Sequence, residues 1–173
     1  MMVPGKVLIS EKEIKKKVRE LAKKVSLYYK GEDVIMIGVL KGAFVFLSDL
    51  MRAVKFPVKV DFMAVKSYKG TETTGEVNIL LDLREDIEGK NVLIVEDIVD
   101  TGITLNAVKR ILEKRKPKSL RICALLDKKE RRVVDVRGDY IGFAIPNKFV
   151  VGYGLDFEEK YRNLPYVSLL KDE

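Results

Sequence analysis

Histidine and tryptophan are absent from this 173-residue sequence, and cysteine occurs once. Without histidine there is no Ser-His or Cys-His catalytic pair and no imidazole ligand for a metal. Any proton transfer must use Asp, Glu, Lys or Tyr. The lone Cys123 excludes a disulfide framework. Within the apolar run Leu120–Leu126 it reads as a small core residue. Long apolar runs are missing too. No window approaches the roughly 20 residues of a membrane helix, and the first thirty residues are rich in charge. A soluble, cytoplasmic protein with no membrane partner is expected.

The chain is 47% apolar and 34% charged, with a net charge of +7. Its length suggests a single domain over residues 1–173, able to bury about 68–70% of the unfolded surface. The positive balance attracts polyanions, whether nucleic acid or phosphorylated small molecules, and does not choose between them. Lysines concentrate at Lys12–Lys24, Lys109–Lys118 and Lys128–Arg132. The first two runs read as solvated helix faces.

Ser10-Glu-Lys-Glu13 is a capping box, and Ile14, Val18, Leu21, Ala22 and Val25 follow at helical spacing up to Gly31. Helices are also expected over Gly42–Met51 and Leu105–Lys114. Short apolar runs at Val34–Leu40, Val58–Val65, Val77–Leu81, Val92–Val95, Leu120–Leu126 and Tyr140–Ile145 read as strands. Continuous apolar strands alternating with helices imply an α/β fold whose mostly parallel sheet is covered on both faces. Ligands of such sheets bind beyond the carboxyl ends of the strands. That rule points to Leu40–Ala43, Ser67–Gly75, Glu96–Thr104 and Leu126–Arg132.

One of these segments carries chemistry. The stretch V-L-I-V-E-D-I-V-D-T-G-I-T runs from an apolar strand into adjacent carboxylates, Glu96 and Asp97, and then Asp100-Thr101-Gly102-Ile103-Thr104 before a helix. Backbone N–H groups of such a loop and a helix N-terminus form an anion cradle, which suits a phosphate. The acids suit sugar hydroxyls and can reach Mg²⁺. A ribose-5-phosphate site is expected there.

This stretch resembles the phosphoribosyl pyrophosphate motif of the type I phosphoribosyltransferases, and in particular their hypoxanthine-guanine branch. The resemblance covers nearly the whole chain: L-K-G at Leu40–Gly42, K-S-Y at Lys66–Tyr68, I-P-N-K-F-V-V-G-Y-G-L-D at Ile145–Asp156 and Y-R-N-L at Tyr161–Leu164. It implies the type I phosphoribosyltransferase fold, with a small hood formed by terminal segments. It implies transfer of the 5-phosphoribosyl group to hypoxanthine or guanine, with Mg²⁺ as cofactor, in a homodimer or homotetramer.

The resemblance also implies residue roles. Asp100 would be the general acid/base, with Ser67 and Tyr68 on a mobile loop (about residues 66–76) that closes over the reacting centre. Leu40, Lys41, Gly42 and Arg162 would bind pyrophosphate. Lys128 would read the purine O6, Phe149 would stack on the base, and Val150 would offer backbone groups to its edge. Asp156, in the purine-binding hood segment of about residues 145–165, would hold a second Mg²⁺ beside the one near Glu96 and Asp97. Arg132 matches a basic residue near the site. Ile103 and Ala43 depart from relatives that carry Lys and Gly there. A second class is the pyrimidine-operon regulator, which binds RNA on the same fold. Such regulators usually lack an acid at the position of Asp100, and they lack the K-F-V-V-G-Y segment, so no nucleic acid partner is expected.

Overall fold

The computed structural model describes residues 2–67 and 76–172. Its main sheet has six strands, in the order β4-β3-β2-β5-β6-β7: β2 Val34–Leu40, β3 Val58–Ser67, β4 Val77–Leu81, β5 Asn91–Val99, β6 Ser119–Asp127 and β7 Tyr140–Ala144. All neighbours run parallel except the edge strand β4, which is antiparallel to β3. The helices are α1 (Glu11–Tyr29), α2 (Phe44–Ala53) and α3 (Ile103–Glu113).

Two apolar layers explain why the strands read as continuous apolar runs. In β2, Met36 joins the layer under α1 and α2, while its neighbours Ile35 and Ile37 join the layer under α3. Successive strand residues face opposite ways, so a strand covered on both sides is apolar throughout. Cys123 is a buried member of the first layer.

The capping box forms as read. Glu13 N–H donates to Ser10 Oγ at 3.2 Å, and Ser10 N–H donates to Glu13 Oε2 at 2.8 Å. The expected helix face is buried with Tyr29 added, and α1 ends through left-handed Lys30 and Gly31. Most lysines of α1 are exposed, as expected for a solvated face.

Other expectations change. The strand expected over Val92–Val95 extends from Asn91 to Val99, and the helix expected from Leu105 begins at Ile103. Periodicity underestimates both because polar side chains at a cavity interrupt the pattern while the backbone continues. The apolar run Val77–Leu81 is an edge strand with Leu80 and Leu81 exposed rather than a covered one. Nothing in the sequence pattern announced β1 (Met2–Ile9). It pairs with β9 (Val167–Asp172), which pairs with the two-residue β8 (Val150–Val151), and the three form a separate small sheet from both ends of the chain. Val150, Tyr153 and Val167 join the layer under α1 and α2, so this hood is packed onto the main body. Among the described residues, no helix is long and apolar enough to cross a membrane.

Candidate active site

The carboxyl ends of the neighbouring strands β2 and β5 open onto a cavity of about 240 Å³, lined by Leu40, Gly42, Glu96, Asp97, Asp100, Thr101, Gly102 and Thr104 among others. The acid pair lies inside β5 rather than after it. Glu96 is buried and Asp97 half-buried. Burial, then the charge of Asp97, raises the Glu96 pKa well above its ordinary value near 4.5. Burial likewise raises Asp97, against hydrogen bonds that favour its charged form. Two acids held this way attract any cation or hydroxyl donor that enters.

Two glycines allow close approaches around the cavity, Gly42 at its lining and Gly102 on the back of the loop. A Cβ on Gly42 would overlap the Asp97 carboxylate, so only hydrogen there lets the β2 and β5 ends approach. Gly102 has φ +85° and is the N-cap of α3, with no side-chain cap. A Cβ there would meet Val136 at 2.6 Å and Arg132 at 2.9 Å. The uncapped helix start leaves backbone N–H groups beside the cavity. Ile103 N–H reaches Thr101 Oγ1 only at 3.4 Å.

Asp100 stands at the rim. Its Oδ2 is 4.0 Å from Lys128 Nζ and its Oδ1 is 3.2 Å from Arg131 Nε. Lys128 follows β6 directly and is buried. Burial lowers its pKa below the ordinary 10.5, the Asp100 charge opposes that shift, and Arg131 adds to it. Lys128 Nζ also lies 6.0 Å from the ring centroid of Phe149, which is 54% exposed despite being a large aromatic. The edge of Phe157 holds the Phe149 ring at 5.7 Å. An exposed, braced aromatic next to a buried ammonium is a stacking platform with a hydrogen-bond donor. Val150 is buried and opens β8.

A second group lies beside the β2 end. The Leu40–Lys41 peptide is cis. Lys41 and Arg162 line a neighbouring depression with Phe44 and Glu159. Glu159 bonds both cations, at 2.9 Å to Lys41 Nζ and 3.3 Å to Arg162 Nη2. Arg162 also pairs with Asp156 at 3.1 Å and donates to Gly154 O at 2.7 Å.

The predicted residues thus fall into three adjacent groups: the β5–α3 loop, the Lys128–Phe149 pair, and the Lys41–Arg162 pair. Asp156 belongs to the last of these through Arg162, rather than to the Glu96–Asp97 pair. Ser67 ends β3 and is exposed. Tyr68 and most of the expected mobile loop lie outside the described residues. Sequence reasoning did not find Asp127 or Glu159. Their signal was only a charge in a loop or at a strand end, which resembles any solvated acid.

A family model described as phosphoribosyl transferase domain matches residues 8–158. The chain belongs to this family. The transferase resembles the hypoxanthine phosphoribosyltransferase of Salmonella typhimurium, with 52% identity over 172 residues, covering 96% of this chain and 97% of that protein. It resembles the hypoxanthine-guanine phosphoribosyltransferase of Aquifex aeolicus, with 50% identity over 169 residues, covering 96% and 95%. A crystal structure of a hypoxanthine-guanine phosphoribosyltransferase from Bacillus anthracis superposes with a TM-score of 0.95 at 47% identity, covering 99% of this chain and 100% of that one. The family and the fold expected from the sequence are both borne out.

Proposed function

We propose that the chain is a purine-salvage enzyme that transfers the 5-phosphoribosyl group from phosphoribosyl pyrophosphate to hypoxanthine or guanine. One observation carries this reading. The acid pair and phosphate loop of β5–α3 adjoin an exposed aromatic and a buried lysine, in a chain half identical to curated transferases along its length. The regulator reading finds no support: the relatives described above are transferases, and both Asp100 and the K-F-V-V-G-Y segment are present.

The arrangement supports the following course of reaction. The purine stacks on Phe149 with its O6 accepting from Lys128 Nζ, and the backbone of Val150 meets its edge. Adenine presents an amino group to Lys128 and is rejected. The 5-phosphate takes the N–H groups of the Thr101–Thr104 loop. Glu96 and Asp97 accept from the ribose hydroxyls, and their charge favours the oxocarbenium-like transition state. The purine nitrogen bonds to C1 as the C1–O bond to pyrophosphate breaks. Asp100 takes the proton that the purine sheds. Lys41 and Arg162 neutralise the departing pyrophosphate, and the backbone N–H of Gly42 donates to it.

The donor set fits Mg²⁺. Among the described residues no three acids form a cage, whereas Mg²⁺ is commonly held by one or two carboxylates together with substrate oxygens and water. Glu96 and Asp97 would hold one ion, and Asp156, which pairs with Arg162 here, would hold a second. Bound magnesium supplies charge neutralisation on the pyrophosphate oxygens.

A base panel tests the reading. Pyrophosphate release is followed with hypoxanthine, guanine, xanthine, adenine and uracil in turn. Turnover with a 6-oxopurine and none with adenine or uracil is expected; uracil turnover, or none at all, overturns it. Lys128→Ala should raise the purine KM about tenfold or more, and an unchanged KM removes Lys128 from O6. Gly42→Ala should displace Asp97 and lower kcat/KM for phosphoribosyl pyrophosphate by about 10²-fold, the usual effect of a misplacement near 1 Å. Steady-state kinetics in both substrates would show whether the loss falls on that substrate.

A further inference from the structure

The phosphate loop must present its N–H groups to the cavity, and a free loop has no reason to do so. Three consecutive carbonyls, from the end of β5 into this loop, are tied to one segment behind it. Val99 O accepts from Lys128 N–H at 2.9 Å and from Arg132 Nη2 at 3.4 Å. Asp100 O accepts from Arg132 Nε at 3.1 Å. Thr101 O accepts from Val133 N–H at 3.0 Å.

In a planar trans peptide the C=O and the following N–H point opposite ways. Holding these carbonyls against residues 128–133 therefore turns the N–H groups of Asp100, Thr101 and Gly102 the other way. All three residues line the cavity. Among the described residues, no protein acceptor takes the N–H of Thr101 or Gly102.

Arg132 is the centre of this arrangement. Besides the two loop carbonyls it donates to Val136 O at 2.5 Å and pairs with the Asp127 carboxylate. Its side chain is 17% exposed and that of Asp127 is 8% exposed. The Arg132 Cδ and Val136 also pack where a Cβ on Gly102 would sit. Lysine could not reproduce this: one ammonium cannot span four acceptors in a planar fork.

We propose that Arg132 is a positioning residue for the phosphate loop, with Asp127 as its fixed counter-ion. It grips the loop by its carbonyls so that the amides face the 5-phosphate. Beside this grip, the Lys128 N–H bond to Val99 O holds the same carbonyl, so the purine and phosphate subsites share one anchor. The inference rests on the reading of the Thr101–Thr104 loop as the phosphate subsite.

The test compares two ligands by calorimetry in the presence of Mg²⁺: ribose 5-phosphate, which needs the loop, and inorganic pyrophosphate, which needs Lys41 and Arg162. Arg132→Lys is expected to weaken ribose 5-phosphate binding about tenfold to a hundredfold and to leave pyrophosphate binding within about twofold. A cavity of about 430 Å³ opens onto Arg132 and Asp127, so added methylguanidinium should restore ribose 5-phosphate binding to Arg132→Gly and do nothing for the unaltered protein. Equal ribose 5-phosphate affinity in Arg132→Lys overturns the inference while leaving the subsite standing. Parallel loss of both ligands, without rescue, also overturns it, because Arg132 would then support the fold in general. If the unaltered protein fails to bind ribose 5-phosphate, the reading of the loop itself is wrong.

Discussion

Replacing Asp100 by Asn is expected to lower kcat by about 10²–10⁴-fold, the usual contribution of a positioned acid or base. Affinity for phosphoribosyl pyrophosphate should stay within about twofold, because an interaction made only in the transition state is lost. The amide has nearly the same shape but cannot take the proton that the purine sheds. With no histidine in the chain, no neighbouring imidazole can substitute. The flanking groups, Lys128 and Arg131, are cations and poor bases.

The same substitution should change a pH limit. The Asp100 charge raises the Lys128 pKa against burial, so removing it lowers that pKa further. Purine binding, which on the proposed role of Lys128 needs the ammonium, should then fail at a lower pH than in the unaltered protein. Single-turnover rates and the purine KM across pH measure both effects. An unchanged kcat would take Asp100 out of the chemistry.

The double substitution Glu96→Gln, Asp97→Asn is expected to weaken phosphoribosyl pyrophosphate binding by about 10²-fold or more, since each carboxylate that accepts a hydroxyl contributes a charge-assisted hydrogen bond. It should at the same time stabilise the ligand-free protein at neutral pH. An acid whose pKa is raised by folding binds its proton more tightly in the folded state. Its contribution to stability is therefore full below about 4.5 and is lost as pH rises through the folded-state value. Glu96 and Asp97 are both raised, so the ligand-free protein is stressed above that point.

Tm should increase by about 2–4 °C or more near pH 7.5 and change little near pH 4. Thermal melts at the two pH values, without Mg²⁺ or substrate, decide the matter. An equal Tm difference at both would show that the buried charges are not the cause. A site that destabilises its own fold in this way conforms to the general trade between stability and activity.

Much of the site was legible because its chemistry is local in sequence. Glu96 to Thr104 lie on one strand end, one loop and one helix start, so the order of residue types carries the geometry. Lys128 follows the next strand, and the parallel sheet brings strand ends together by rule. The capping box of α1 and its buried face were legible for the same reason: every partner lies within a few residues. Boundaries were less legible. Val99 and Ile103 belong to regular elements, but acids and hydroxyls at the cavity hide this from a pattern of apolar residues.

What the sequence by itself determined, then, is the mostly parallel sheet, the succession of its strands and helices along the chain, and the position of the Glu96–Asp97 pair and the Thr101–Thr104 loop. Apolar runs, helical spacing and a thirteen-residue motif suffice for these because each signal is carried by residues close together in the chain. Tertiary structure alone decided the rest. Met2–Ile9 and Val167–Asp172 become a sheet only on meeting one another. A Cβ on Gly42 would displace the Asp97 carboxylate, which lies far along the chain yet against it. Arg132 is set apart because two carbonyls from the distant β5 end, Val99 O and Asp100 O, meet the same guanidinium as its near neighbours Asp127 and Val136. Such convergence depends on packing between distant segments, and no local pattern encodes it.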